Sequence, residues 1–133
     1  MKGFCDNIEE QTLDNGDFRR VLYTGHHLQL VLMTLPLGGD IGEEVHDDRD
    51  QFFRFEGGSG VVDIDGVANA VEDGFAVIVP AGARHNVRNT GADPLRFYSL
   101  YAPPEHKDGI VHATREEADA RHHDEEWDGG TTE

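Results

Sequence analysis

Two short segments, residues 38–58 and 74–89, constrain this chain more than any other feature, because each sets polar side chains at strand spacing between glycine and proline turns. The first carries Glu44, His46 and Gln51 between Gly38 and Gly58, and the second carries His85 and Asn89 behind Gly74, Pro80 and Gly82. A strand turns alternate residues to one face, so Glu44 and His46 point the same way, as do His85, Val87 and Asn89. Glu43, one residue off, faces the other side. A small β-barrel built on these segments could bring Glu44, His46, Gln51 and His85 together around a metal.

The rest of the chain has the punctuation such a barrel needs. Runs at 18–23 and 28–35 flank the turn Thr24-Gly25-His26, and Leu28, Leu30 and Leu32 alternate with Gln29, Val31 and Met33. Both faces of that second strand are largely apolar, which predicts cover on both sides. Residues 51–56 alternate Gln51, Phe53 and Phe55 against Phe52, Arg54 and Glu56, and a glycine-rich turn leads to 61–64. Asp65-Gly66 is a hairpin signal, since Gly tolerates the positive φ of a tight turn. Pro80-Ala81-Gly82 stops a strand at 75–79, 84–89 carries His85, and 95–101 follows the turn before Pro94. Short strands at intervals of roughly ten residues predict an all-β fold, a barrel or double-sheet jelly roll. Thr114 with Glu117 three residues on reads as a capping box opening a short helix to about Arg121. Residues 1–121 are thus one barrel domain. Residues 122–133, acidic and apolar only at Trp127, read as a mobile tail.

Composition narrows the partners. A chain of 133 residues is one domain with room for a core. Cys5 is the only cysteine, so neither an intrachain disulfide nor a thiolate metal site can form, which suits a reducing cytoplasm. No apolar run approaches the roughly 20 residues of a membrane span and no secretory segment opens the chain, so a soluble cytoplasmic protein is expected. A net charge of -16 repels phosphate backbones and anionic lipid, which argues against nucleic acid and membrane partners. Only Lys2 and Lys107 are lysines beside 27 acidic residues, a balance that suggests a salt-loving source, with an ordinary acidic protein as the other reading. Arg54, Arg84, Arg88 and Arg96 lie in the barrel-forming region, where they could line a pocket.

The Gly, Pro and His framework of the two segments resembles the paired motifs of the cupins. The usual cupin pattern has His-x-His and then Glu in the first motif and one His in the second, so the resemblance maps the ligand positions onto Glu44, His46, Gln51 and His85. Two ligand types are altered. Asn7-Ile8-Glu9-Glu10, the stretch from Phe18 through Gly25, Asp50-Gln51-Phe52 and Tyr101-Ala102-Pro103-Pro104-Glu105-His106 are similar to small single-domain cupins described as mannose-6-phosphate-isomerase-like. The resemblance implies a double-stranded β-helix, a small-molecule substrate and a homodimer paired through sheet edges, an interface in which the two-faced strand at 28–35 would be buried. Gln at the third position also resembles cupins acting on unsaturated uronates, in which the metal is kept.

Two His, one carboxylate and an amide oxygen suit Mn, Fe, Co, Ni or Zn and leave two positions on a six-coordinate ion. The usual set of three His and one Glu carries one negative charge. Glu44 and Gln51 together restore that total, so metal binding is expected; the competing reading makes Gln51 a hydrogen-bonding group in a metal-free barrel. Such an ion would act as a Lewis acid for isomerisation, ring opening or enolisation of a sugar or sugar acid, or, as iron, in dioxygen chemistry. The alternative is a non-catalytic binding or sensing module. Tyr98, Tyr101 and His106 are acid–base candidates because they lie on or beside the last barrel strand. His106 and His112 flank a loop that could cover the barrel mouth, while His26, His27, His122 and His123 read as solvated. Met33, Phe53, Phe55 and Val87 line an apolar pocket or pack the core.

Overall fold

Each segment with period-two patterning forms a strand. In the computed structural model, which describes residues 1–133, the order is α1 (Ile8–Asp14), β1 (Arg19–Thr24), β2 (Gln29–Leu35), β3 (Glu44–Val45), β4 (Asp50–Gly57), β5 (Ser59–Ile64), β6 (Val67–Glu72), β7 (Ala76–Val79), β8 (Arg84–Asn89), β9 (Leu95–Ala102), β10 (Val111–His112) and α2 (Arg115–Arg121). The strands pair antiparallel in two sheets, ordered β10-β1-β2-β9-β4-β7 and β3-β8-β5-β6. This is the expected all-β jelly roll with a short C-terminal helix.

Alternation fills the space between the sheets. On β9, Leu95, Phe97, Ser99 and Tyr101 are buried while Arg96, Tyr98 and Leu100 lean outward, and on β4 Gln51, Phe53 and Phe55 face in. Phe53, Phe55 and Phe97 pack with ring centroids 5.1 to 6.2 Å apart at the centre of 17 buried apolar residues. Burial of each such side chain contributes roughly 2 kcal/mol. Met33 and Val87 belong to the same cluster, so these four residues are core and do not wall an apolar pocket.

The turns follow their residues. Asp65 and Gly66 both take positive φ, 46° and 82°, in the two-residue hairpin between β5 and β6. The Asn89 amide donates to the carbonyls of Leu35, Pro36 and Asp93 at 2.9 to 3.1 Å and its oxygen accepts from the Gly91 N–H, so it ties a strand end to a turn. At α2, Thr114 Oγ1 accepts from the Glu117 N–H, while the Glu117 carboxylate accepts from Ala113, one residue before the cap. Helix α1, capped by Asn7, is a seven-residue element whose one buried side chain is Thr12, too little apolar periodicity to betray a helix in the sequence.

Two expectations need revision. Strand β2 is interior to its sheet, bonded to β1 on one side and β9 on the other, so it cannot pair edge to edge with a second copy. Its outer face instead begins an apolar row, Leu30, Leu100, Phe52 and Ile78, that crosses four strands in register. Residues 122–133, expected to be a mobile tail, are laid against the barrel. Glu125 O accepts from Lys107 N–H, Trp127 N–H donates to Glu105 O, and the Glu133 carboxylate accepts from Lys2 and Gly3 N–H and from the Tyr23 hydroxyl. No helix is long and apolar enough to cross a membrane.

Candidate metal centre

Strand register decides which donors meet. Pairing of β3 with β8 sets Glu44 opposite His85, and β4 brings Gln51 in from the other sheet beside Tyr101 of β9. His46 follows β3, its carbonyl accepting from the Gly82 N–H at 2.9 Å. The ligand atoms of Glu44, His46 and His85 lie within 4.8 Å of one another, and Gln51 Oε1 is 3.1 Å from His85 Nε2. All four residues singled out in the sequence therefore converge.

The convergence has the chemistry of a cation site. Donors at right angles on bonds of about 2.1 Å stand about 3 Å apart. The Glu44–His46 and Gln51–His85 separations are 2.8 and 3.1 Å. His46 Nε2 is buried 2.8 Å from Glu44 Oε2, an ion pair when the imidazole is protonated. His85 Nδ1 faces the Ala83 carbonyl at 3.1 Å and donates to it, which leaves a neutral imidazole with its Nε2 lone pair turned towards Gln51 Oε1. Two acceptors head to head are what a bound cation reconciles. The Gln51 amide N–H donates to Ser99 Oγ at 2.8 Å, the outer support a ligand requires. Cys5, the one cysteine, is exposed and is not among these ligand atoms.

Protonation is arranged to match. Burial lowers His85, and the neighbouring His46 adds to that, against Glu44 and the Ala83 carbonyl. For His46 burial also acts downward, but the Glu44 carboxylate and Glu105 outweigh it and hold the imidazole above its ordinary value. Burial would raise Glu44, yet His46, with Arg19 and His85, keeps its carboxyl below the usual range.

Above the donors an open cleft of about 770 Å³ reaches Glu44 and His46, with Arg19, Arg49, Glu105 and His106 on its walls; Gln51 and His85 lie sealed beneath. Its lining is polar. None of the four arginines expected there contributes: Arg54 pairs with Glu56, Arg84 with Glu43, Arg88 with Asp63, and Arg96 binds the Asn15 carbonyl.

The acid–base candidates separate. Tyr101 is buried edge-on to His46, ring centroids 5.8 Å apart, with its hydroxyl 3.4 Å from His106 Nε2. Burial pushes that hydroxyl far up, so it stays protonated. Tyr98 is on the outer face of β9, packed on Phe52, and does not join the site. His106 and His112 are buried and form no exposed lid; His112 pairs with Glu125 at 3.3 Å. His26, His27 and His123 are exposed as expected, whereas His122, also exposed, borders the cleft. Sequence reasoning missed Arg19, Arg49 and Glu105. Arg19 shares the parity of buried Val21, a usable signal; Glu105, 3.5 Å from His46 Nδ1 and 3.0 Å from Arg49 Nε, follows a Pro-Pro break and had none.

Burial, reinforced by Arg19 and by His46, His112 and His122, holds His106 neutral, well below the ordinary histidine value. The unfolded chain takes up that proton below about pH 6.5, so metal-free protein should lose stability as pH falls from there, by about tenfold in the folding constant per pH unit. His85 acts in the same direction. His46 acts oppositely, contributing below about 6.5 and losing its contribution as pH rises through its folded value. Urea unfolding from pH 7 to 5 should show the loss in the wild type and a shallower one in His106→Asn; equal slopes would refute the assignment.

A family model described as a cupin domain matches residues 31–101, which include all four donors but neither Arg19 nor His106. The chain is 46% identical over 123 residues to the uncharacterized protein YrkC of Bacillus subtilis, covering 88% of this chain and 66% of YrkC. It is 36% identical over 114 residues to an uncharacterized protein of Acanthamoeba polyphaga mimivirus, covering 82% of this chain and 71% of that protein. The crystal structure of BH2720 from Bacillus halodurans superposes with a TM-score of 0.88 at 47% identity, covering 90% of this chain and 95% of that one.

Proposed function

Because the chain belongs to the cupin family, we propose that it is a metal-binding cupin acting as an enzyme on a small polar molecule, with a divalent Mn, Fe, Co, Ni or Zn ion held by Glu44, His46, Gln51 and His85. The observation that carries this reading is the convergence of the Glu44, His46 and His85 ligand atoms within 4.8 Å of one another, with Gln51 Oε1 3.1 Å from His85 Nε2, beneath a polar cleft. When bound, such an ion supplies Lewis-acid polarisation suited to isomerase or lyase chemistry on a sugar or sugar acid, and as iron it opens dioxygen chemistry.

The chain's own residues have separable parts in this scheme. Glu44 gives the site its single formal negative charge, Gln51 adds a neutral oxygen, and His85 is fixed in its tautomer by Ala83. Tyr101, kept protonated, is a hydrogen-bond donor and not a base. His106, kept neutral by burial and the surrounding cations, accepts a hydrogen bond but resists taking up a proton, so Glu105, raised by burial and by Glu44 against His46 and Arg49, is the acid–base candidate at the cleft wall. For the homodimer, the apolar row from Leu30 to Ile78 supports a face-to-face contact.

Gln51 gives a direct test. Gln51→Leu should weaken metal affinity by roughly 10- to 100-fold, while Gln51→Glu, which adds a charge, should hold or tighten it. Competition against a chromophoric chelator reads both, and equal affinity in all three proteins would remove Gln51 from the donor set.

A second reading has an observation of its own. His46 lies between Glu44 at 2.8 Å and Glu105 at 3.5 Å, so a protonated imidazole can neutralise the site without a metal. That is the arrangement of a metal-free ligand-binding cupin. Elemental analysis of protein purified without chelator or His tag separates the two.

A further inference from the structure

The cleft holds one arginine that has no anion of its own. Arg49 is matched by Asp48 and Glu105, and Arg115 by Asp40 and Asp119. Arg19 has no carboxylate within ion-pair distance, although the residue is only 8% exposed, and its Nε is buried without a hydrogen-bond partner. The Phe18 ring lies 5.3 Å from the guanidinium carbon. Facing inward from the start of β1, between Met33 and His112 in the sheet, the side chain lines the cleft and the small pocket behind it. It is near enough for its charge to act on Glu44, Tyr101 and His106.

An unpaired buried cation is costly, and the cost is offset only when an anion completes its hydrogen bonds. We propose that Arg19 is the anchor for the carboxylate of a small hydroxy or oxo acid, held in the cleft with its other oxygens towards Glu44 and His46. This rests on the reading of that cleft as the substrate site.

Charge and shape select the class. A planar carboxylate meets the guanidinium fork with two parallel hydrogen bonds. Seven carboxylates, from Glu43 and Glu44 to Asp119 and Glu126, share the cleft, so a phosphate dianion meets more repulsion than a singly charged acid. Only Ile41 and Val45 among the lining residues are apolar, which disfavours an alkyl acid and leaves one bearing hydroxyl or oxo groups.

Glycolate is the probe, with ethylene glycol as its neutral counterpart and inorganic phosphate as the dianion, titrated calorimetrically into metal-free and metal-loaded protein. Wild type is expected to bind glycolate in both forms, phosphate about tenfold more weakly and ethylene glycol not at all. Arg19→Gln should lose glycolate affinity by about tenfold or more in the metal-free form, while its thermal midpoint without ligand stays level or rises because an unpaired charge is gone. Arg19→Lys, which keeps the charge and loses the fork, should fall between and serves if the Gln variant does not fold. Glycolate affinity indifferent to both substitutions, or phosphate bound as tightly as glycolate, overturns the anchor. Binding that depends on Arg19 in a protein that refuses every metal keeps the anchor and discards the metal reading.

Discussion

Replacing His46 and His85 together by Ala is expected to strip the protein of its transition metal, from about one equivalent to a trace, with affinity reduced by more than about 100-fold. The two imidazoles enter from different positions, His46 just after β3 and His85 from within β8, yet their ring centroids are 5.4 Å apart and their ligand atoms share one small volume with Glu44. Without them Glu44 and Gln51 remain, one carboxylate and one amide, too few donors to hold a divalent ion against water. His85 is 2% exposed, so the alanine leaves a cavity, and His46→Gln with His85→Gln is the volume-preserving companion. Elemental analysis of all three proteins, prepared in high-potassium buffer, gives the answer. Metal retained by a folded double variant would place the ion elsewhere; wild type that stays empty with added Mn, Fe, Co, Ni and Zn would leave the ligand-binding reading as the better account.

The donors were legible because strand parity is an intrinsic property of sequence. His85, Val87 and Asn89 share a face in the structure as in the pattern, and Gln51 shares one with Phe53 and Phe55. The same parity, applied to the other strands, separates the residues that do not reach the site. Arg54 alternates with Phe53 and Phe55, Arg88 with Val87 and Asn89, and Arg96 with Leu95 and Phe97, so each faces outward. Tyr98 and Tyr101 are three apart on one strand and cannot both face in; the apolar Leu95 and Phe97 choose Tyr101. Nothing in the pattern signals Glu105 or the course of residues 122–133, because backbone bonds such as Trp127 to Glu105 depend on which carbonyls the barrel leaves unpaired. Composition sees an acidic tail where tertiary pairing finds a strap beside the cleft.

The residue that joins fold to site is Gln29, and Gln29→Leu is expected to cost about 3–5 kcal/mol. The side chain is fully buried. Its Nε2 donates to Thr24 Oγ1 at 2.9 Å and to the His106 carbonyl at 2.6 Å, while its Oε1 accepts from the N–H groups of Glu105 and His106 at 3.1 and 2.9 Å. One amide thus satisfies four groups, three of them on the segment that carries the cleft's Glu105 and His106. Leucine matches it in size and offers no partner, so those groups stay buried and unpaired or the segment lifts into water. Either course moves Glu105 away from His46 and Arg49 and loosens His106 above Tyr101. Urea unfolding should show a lower midpoint with an unchanged m value if the segment stays docked, and a smaller m value if it lifts. A loss below about 1 kcal/mol with m unchanged would mean that the amide merely fills space, and that Glu105 and His106 owe their places to the Glu125 and Trp127 contacts instead.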